Sequence, residues 1–183
     1  MQNKRMFAHD YTRVGFYMIT LTTAGRRPLF GSCRDDRVQL SPAGEVVRRR
    51  WLEIPKHRPG IETNTLVVMP DHLHGIVYVK EPLPKPVGLT IRGYKSGATS
   101  ELRRLLNNPT LDVWEEGYND RIVMCSDTLQ TERHYIRDNP RRYCLRKAHP
   151  DLFVRVNRLD SPRLPTSMTW AGYGNLFLLD KPV

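Results

Sequence analysis

The stretch at residues 66–79, Leu-Val-Val-Met-Pro-Asp-His-Leu-His-Gly-Ile-Val-Tyr-Val, constrains the fold of this chain more than any other. Two apolar runs rich in β-branched residues are separated only by Pro70 and Asp71, which reads as two strands joined by a tight turn. Side chains two apart on a strand share a face. His72 and His74 therefore aim their imidazoles the same way, while Leu73 points to the opposite face. That arrangement suits one metal ion held by two nitrogens. The plainer alternative is a pair of polar residues on the wet face of a hairpin.

The rest of the chain supplies partners for this hairpin. Residues 14–23, rich in Val, Phe, Tyr, Ile and Thr, read as a central strand. Residues 24–40 read as a loop region with a short edge strand at 37–40. Ser41-Pro42 has the form of an N-cap followed by proline at the first helical position. It opens a helix to about Lys56, with Val46, Val47, Trp51, Leu52 and Ile54 facing inward. A proline-rich connector over 80–87 leads to a helix over 88–106, with a weak point at Ser96-Gly97. Leu89, Ile91, Tyr94, Leu102, Leu105 and Leu106 form its apolar side. A further strand is best seen at 121–124. Ser126 or Asp127 can cap a helix running to about Asp138, and Pro140 starts a second helical piece over 141–147.

The order is strand, helix, strand, strand, helix, strand and an extra helix. This is the ferredoxin-like β-α-β-β-α-β pattern of an α+β domain. It predicts an antiparallel sheet with two helices on one face, the other face being left for a ligand or the extra helix. Residues 1–150 make this domain. Residues 151–183 change character, with a linker-like stretch at 161–166 and an apolar one at 170–179, and read as an extension docked on the core.

The formal charge of +10 over 183 residues favours a polyanion as partner, since each Lys or Arg that meets a phosphate releases counterions. No apolar run reaches the length of a membrane span, and no signal-peptide core follows the first residues. Cys33, Cys125 and Cys144 are odd in number and widely spaced. They suggest neither a disulfide framework nor a zinc site, and point to a reducing cytoplasm.

Tyr135 and Asn139 lie four apart on the last helix, so they share a face. Asn139 precedes proline and is expected at the helix end with its side chain free to turn. An amide oxygen could complete a divalent-ion site begun by two imidazoles. A phenol is a poor nucleophile at neutral pH, but a neighbouring cation polarises a phosphoryl oxygen and offsets the charge of in-line displacement. The competing readings are a packing aromatic for Tyr135 and a helix terminator for Asn139.

These pieces together carry a resemblance. Met69-Pro70-Asp71-His72-Leu73-His74-Gly75, then Gly93-Tyr94-Lys95-Ser96, then 114–121, then Tyr135-Ile136-Arg137-Asp138-Asn139-Pro140 resemble the HUH single-tyrosine transposases, most of all their REP-associated branch. The resemblance implies that His72, His74 and Asn139 are ligands of Mg²⁺ or Mn²⁺. It implies that Tyr135 is the nucleophile that forms a 5′-phosphotyrosine bond, and that the substrate is single-stranded or hairpin DNA. It leaves monomer and homodimer both open. Arg92, Lys95, Arg103, Arg104, Arg121, Arg137, Arg141 and Arg142 are candidate DNA contacts, of the kind that position a strand without reading it. Tyr94, Trp114 and Tyr118 could stack on bases but read first as core. Two other classes stay open: a non-catalytic or domesticated protein that binds hairpin or single-stranded nucleic acid, and a hydrolase in which water attacks.

Overall fold

The computed structural model describes residues 9–123 and 125–150. Among the described residues six strands and four α-helices follow one another as β1 (Gly15–Thr22), β2 (Gly31–Arg34), β3 (Arg37–Leu40), α1 (Pro42–Leu52), α2 (Ile54–His57), β4 (Ile61–Val68), β5 (His72–Val79), α3 (Val87–Leu105), β6 (Asn119–Val123) and α4 (Ser126–Ala148). The main sheet is antiparallel throughout, in the order β4-β5-β1-β6. The hairpin expected at 66–79 forms with His72 as the first residue of β5, an inner strand.

Alternation along β1 and β5 divides the interior into two layers. Tyr17, Ile19, Leu21, Leu73, Val77 and Val79 point into one cluster with Val47 and Trp51 of α1 and Ile91, Tyr94 and Leu102 of α3. Met18 and Ile76 point the other way and pack against Leu129 and Ile136 of α4. The sheet thus carries α1 and α3 on one face and α4 on the other, which is where an extra helix was expected. Trp51, fully buried, lies directly under Gly75: a Cβ built there would come within 2.4 Å of its ring.

The helix starts follow local chemistry. The Ser41 hydroxyl accepts from the Gly44 N–H and donates to the Leu29 carbonyl, so the cap also ties α1 to the preceding loop. Several expectations need correction. The chain has an extra strand, β2, paired with β3 in a separate two-stranded hairpin. The turn between them places Asp35 and Asp36 at φ of 48° and 57°, a type I′ geometry for which Asp-Asp is a weak sequence signal beside Asn-Gly. The expected weak point at Ser96-Gly97 does not interrupt α3. Leu52, Leu89, Leu105 and Leu106 face outward, because the buried stripes of α1 and α3 are narrower than their leucines suggest. Neither Ser126 nor Asp127 caps α4: it begins at Ser126, with Cys125 at the cap position and no side-chain cap bond.

The largest correction concerns Pro140. It lies inside one 23-residue helix, so there is no second helical piece. Proline removes the N–H that Ile136 would receive, yet Ile136 and Asn139 before it and Cys144 after it are all buried against the fold. Tertiary packing on both sides outweighs a local cost of about 3 kcal/mol. Asn139 is therefore mid-helix and only 9% exposed, rather than free at an end.

Cys144 also overturns the expectation that the cysteines form no disulfide. It forms a disulfide with Cys33, Cα to Cα 5.4 Å, and so joins α4 to β2. Their separation of 111 residues hid a contact that only the tertiary fold creates. Cys125 is free and exposed. No helix among the described residues is long and apolar enough to cross a membrane. The reading of 151–183 as a docked extension lies outside the described residues.

Candidate active site

The site lies between the sheet and α4. Strand register explains its floor. Thr20 on β1 pairs across from His74, and Thr22 from His72. The Thr20 hydroxyl shares a hydrogen bond of 2.8 Å with His74 Nδ1. His72 Nδ1–H donates to Asp71 Oδ1 at 2.7 Å. The imidazole centroids are 4.8 Å apart, so the two rings do share one face as the strand period requires.

The helix supplies the roof. The Tyr135 ring stands 5.6 Å from that of His74, and the Tyr143 ring 5.9 Å from that of His72. Tyr135, Asn139 and Tyr143 are spaced by four, so they form one stripe along α4. Asn139 lies between the two tyrosines on the stripe that meets the histidine pair. Arg142 lays its guanidinium over the Tyr135 ring, 5.5 Å from the centroid. One turn before Tyr135, the buried Glu132 accepts a 2.5 Å hydrogen bond from Arg121 of β6.

The electrostatics follow from burial. His74 is almost fully enclosed, and its pKa falls to about 3 because burial disfavours the imidazolium and both His72 and Arg121 add positive potential. Burial pushes the Asp71 carboxyl up, but hydrogen bonding and charge from His72, with a hydrogen bond from Tyr143, leave it below its ordinary value. The Tyr143 phenol is raised to about 12 by burial and by the charge of Asp71. Tyr143 is thus held as a proton-bearing donor.

The donor set can be tested against a divalent ion. With Nδ1–H given to Asp71, His72 presents its Nε2 lone pair. His74 does the same when its Nδ1–H donates to Thr20. This is the usual support for a metal-bound histidine. Among the described residues no group of three His, Cys, Asp or Glu could hold a metal; Asn139, on the stripe of α4 that also carries Tyr135 and Tyr143, has an amide oxygen of the type such an ion accepts. Two imidazoles and one amide fit Mn²⁺ better than the all-oxygen preference of Mg²⁺, and leave positions open for substrate oxygens.

The basic residues separate into groups. Arg121 and Arg142 border the site. Arg137 and Arg141 are exposed on α4, with Arg141 3.9 Å from Asp138. Arg92, Lys95, Arg103 and Arg104 belong to α3, across the sheet. Of these, Lys95 donates to the carbonyls of Glu115 and Gly117, and Arg103 to that of Leu111, so both brace the loop before β6. Tyr94 is buried and donates to the Val47 carbonyl, while Trp114 and Tyr118 pack on the same core. A cavity of about 380 Å³ opens between α1, α2 and α3, but it lies on that far side and touches none of the site residues. Sequence reasoning missed Thr20, Glu132 and Tyr143. Tyr143 was readable, being four residues after Asn139, had the helix not been ended at Pro140.

No protein-family model matches the chain. An uncharacterized protein of Haemophilus influenzae is 30% identical over 156 residues, covering 74% of this chain and 86% of the relative. The two belong to one family. Among solved structures, a REP-associated tyrosine transposase bound to a REP hairpin aligns with a TM-score of 0.58 at 19% identity, over 78% of this chain and 74% of that one. This chain has the fold of a REP-associated tyrosine transposase. Within that transposase fold, the histidine pair occupies an inner strand and the two tyrosines the helix laid across it.

Proposed function

We propose that this chain is an HUH single-tyrosine transposase that cleaves and rejoins single-stranded DNA near hairpins through a 5′-phosphotyrosine intermediate. The observation that carries this reading is the placement of Tyr135 beside His74, with Asn139 on the same helical stripe, inside a fold shared with a hairpin-bound tyrosine transposase. The element order and the antiparallel pairing support the ferredoxin-like description of the domain.

The Tyr135 oxygen attacks the phosphorus of a phosphodiester. A bond forms between phenol oxygen and phosphorus, the bond to the 3′-oxygen breaks, the phenolic proton departs, and the 3′-oxygen gains one. Arg142, over the Tyr135 ring, brings a guanidinium beside the place where negative charge gathers on the transferring phosphoryl group. Arg121, oriented by Glu132, offers a guanidinium to the strand at the edge of the site. His72, His74 and Asn139 would hold Mn²⁺ or Mg²⁺, which when bound supplies Lewis-acid polarisation of the phosphoryl group. In the second half, another 3′-hydroxyl attacks the phosphotyrosine and Tyr135 recovers its proton. Arg137 and Arg141 extend the positive surface along α4 for the strand. Cellular DNA as substrate would put the reaction in the cytoplasm, a reducing compartment in which Cys33 and Cys144 would stand as neighbouring thiols.

The test is a labelled hairpin oligonucleotide incubated with Mn²⁺ or Mg²⁺ and run on a denaturing gel. A covalent adduct that disappears with EDTA and in Tyr135→Phe is expected. An adduct undiminished in Tyr135→Phe refutes the assignment. Hairpin binding that survives EDTA, with no adduct under any condition, would leave a binding protein only.

A further inference from the structure

We infer that Cys33 and Cys144 form a thiol–disulfide switch that latches the second half of α4 over the site, with a small-molecule disulfide as the oxidant.

Pro140 is the hinge of this device and Cys144 its latch. Proline offers no N–H to the Ile136 carbonyl, so the backbone ladder of α4 loses a rung there. The half before it is anchored by the buried Leu129, Glu132, Ile136 and Asn139. Leu129 and Ile136 pack on Met18 and Ile76 of the sheet. Beyond Pro140, Cys144 is the one buried residue of the helix, 3% exposed. Its partner Cys33 stands on β2, in the hairpin that is not part of the main sheet. With the bond closed, the second half of α4 is tied covalently to that hairpin. With the bond open, the enclosed thiol holds only as a small apolar side chain does. Two groups of the site ride on the latched half. The Arg142 guanidinium lies 5.5 Å from the Tyr135 ring centroid, and the Tyr143 ring 5.9 Å from that of His72. Opening the latch loosens both, while Tyr135 and Asn139 stay with the anchored half.

The chemistry is thiol–disulfide exchange. The Cα atoms are 5.4 Å apart, within the span of a disulfide. Cys33 is half-buried where Cys144 is enclosed, so Cys33 is the sulfur that an outside reagent reaches. Its thiolate attacks one sulfur of the small disulfide, whose S–S bond breaks, and one small thiol leaves. The Cys144 thiolate then attacks the Cys33 sulfur of the mixed disulfide, and the second small thiol leaves. The cysteine pair gives up two electrons and two protons, which the two released thiols carry away. Excess small thiol runs both steps backwards.

The effect on cleavage rests on the reading of Tyr135 as the nucleophile; the latch itself does not. The experiment is hydrogen exchange by NMR on the full chain, equilibrated with oxidised glutathione or with excess reduced glutathione. On reduction, the exchange rate of residues 141–146 relative to that of 129–139 should rise about tenfold or more. Cys33→Ser should show the high ratio in both buffers, and Cys125→Ser should respond as the parent does. Adduct formation on the labelled hairpin should be about tenfold slower in the reduced chain. A ratio unchanged by reduction overturns the latch, because the bond then steadies only the fold as a whole. So does failure of oxidised glutathione to join Cys33 to Cys144, read from linked peptides by mass spectrometry. A raised ratio with adduct formed at one rate in both states overturns the control of cleavage. A raised ratio with no adduct in either state supports the latch and removes the transposase reading instead.

Discussion

Gly75→Ala tests whether the histidine strand is seated as described. In an ordinary strand this change is favourable by roughly 0.5–1 kcal/mol, because glycine loses more backbone freedom on folding. Here the new Cβ would lie 2.4 Å from Trp51 Cζ2, 2.7 Å from Cε2 and 3.1 Å from Cη2. Carbon atoms sit comfortably at about 3.5–4.0 Å, so the indole has to retreat by roughly 1 Å in a close-packed interior. Trp51 has no exposed surface to move into. Overpacking of this kind costs about 1–3 kcal/mol, and three ring atoms meeting the methyl at once put the expected loss near the upper end. For a domain of this size the melting temperature should fall by roughly 5–10 °C. The assay is a double-mutant cycle by thermal melting with Trp51→Leu, whose smaller side chain leaves room for the methyl. The pair should be less destabilised than the sum of the single changes by about 1 kcal/mol or more. A Gly75→Ala protein that melts with its parent, or a loss that is the same with and without Trp51, would refute the packing argument. Because His74 is the neighbouring residue, adduct formation should fall along with stability.

Three further outcomes follow. In EDTA, His74 binds a proton only near pH 3 when folded but near 6.5 when unfolded. The unfolded state therefore holds more protons across that window, and stability should decline as pH drops from about 6.5 towards 3; melting scans of His74→Gln should show a flatter profile. Reducing the Cys33–Cys144 bond, which closes a loop of 111 residues, should lower stability by up to about 5 kcal/mol, and a melting temperature indifferent to reductant would mean that the bond contributes nothing. Arg121→Gln should destabilise by about 1–2 kcal/mol, since it leaves the Glu132 carboxylate buried without its partner, whereas Arg121→Met with Glu132→Met should recover much of the loss; chemical denaturation measures both.

The sheet was legible in the sequence because its signals are local. Alternation set the faces of β1 and β5, and the Pro70-Asp71 turn set β4 as the hairpin partner of β5. Ser41-Pro42 marked the start of α1, and the spacing of His72 and His74 gave the shared face without further information. What stayed hidden depends on contacts between distant segments. Proline is locally a helix breaker, and nothing near Pro140 reveals that Ile136, Asn139 and Cys144 are buried on either side of it. Ending the helix there took Tyr143 off the stripe and released an amide that is in fact enclosed. The pairing of Cys33 with Cys144 needs the β2–β3 hairpin to stand beside α4, and that hairpin itself was obscured by an Asp-Asp turn. Thr20 became visible only once the β1–β5 register placed it opposite His74.

The unbroken course of α4 also restricts how this protein can change. With about 1.5 Å of rise per residue, Tyr135, Asn139 and Tyr143 sit roughly 6 Å apart like marks on a ruler. Substitutions on the outer side of the rod leave that scale untouched. Inserting or deleting one residue between the marks turns everything beyond it by about 100°, which carries one group away from the histidines while the others stay. Length variation in relatives should therefore collect before residue 126 or after 148, and the interval between the two tyrosines should tolerate new letters but no change in count.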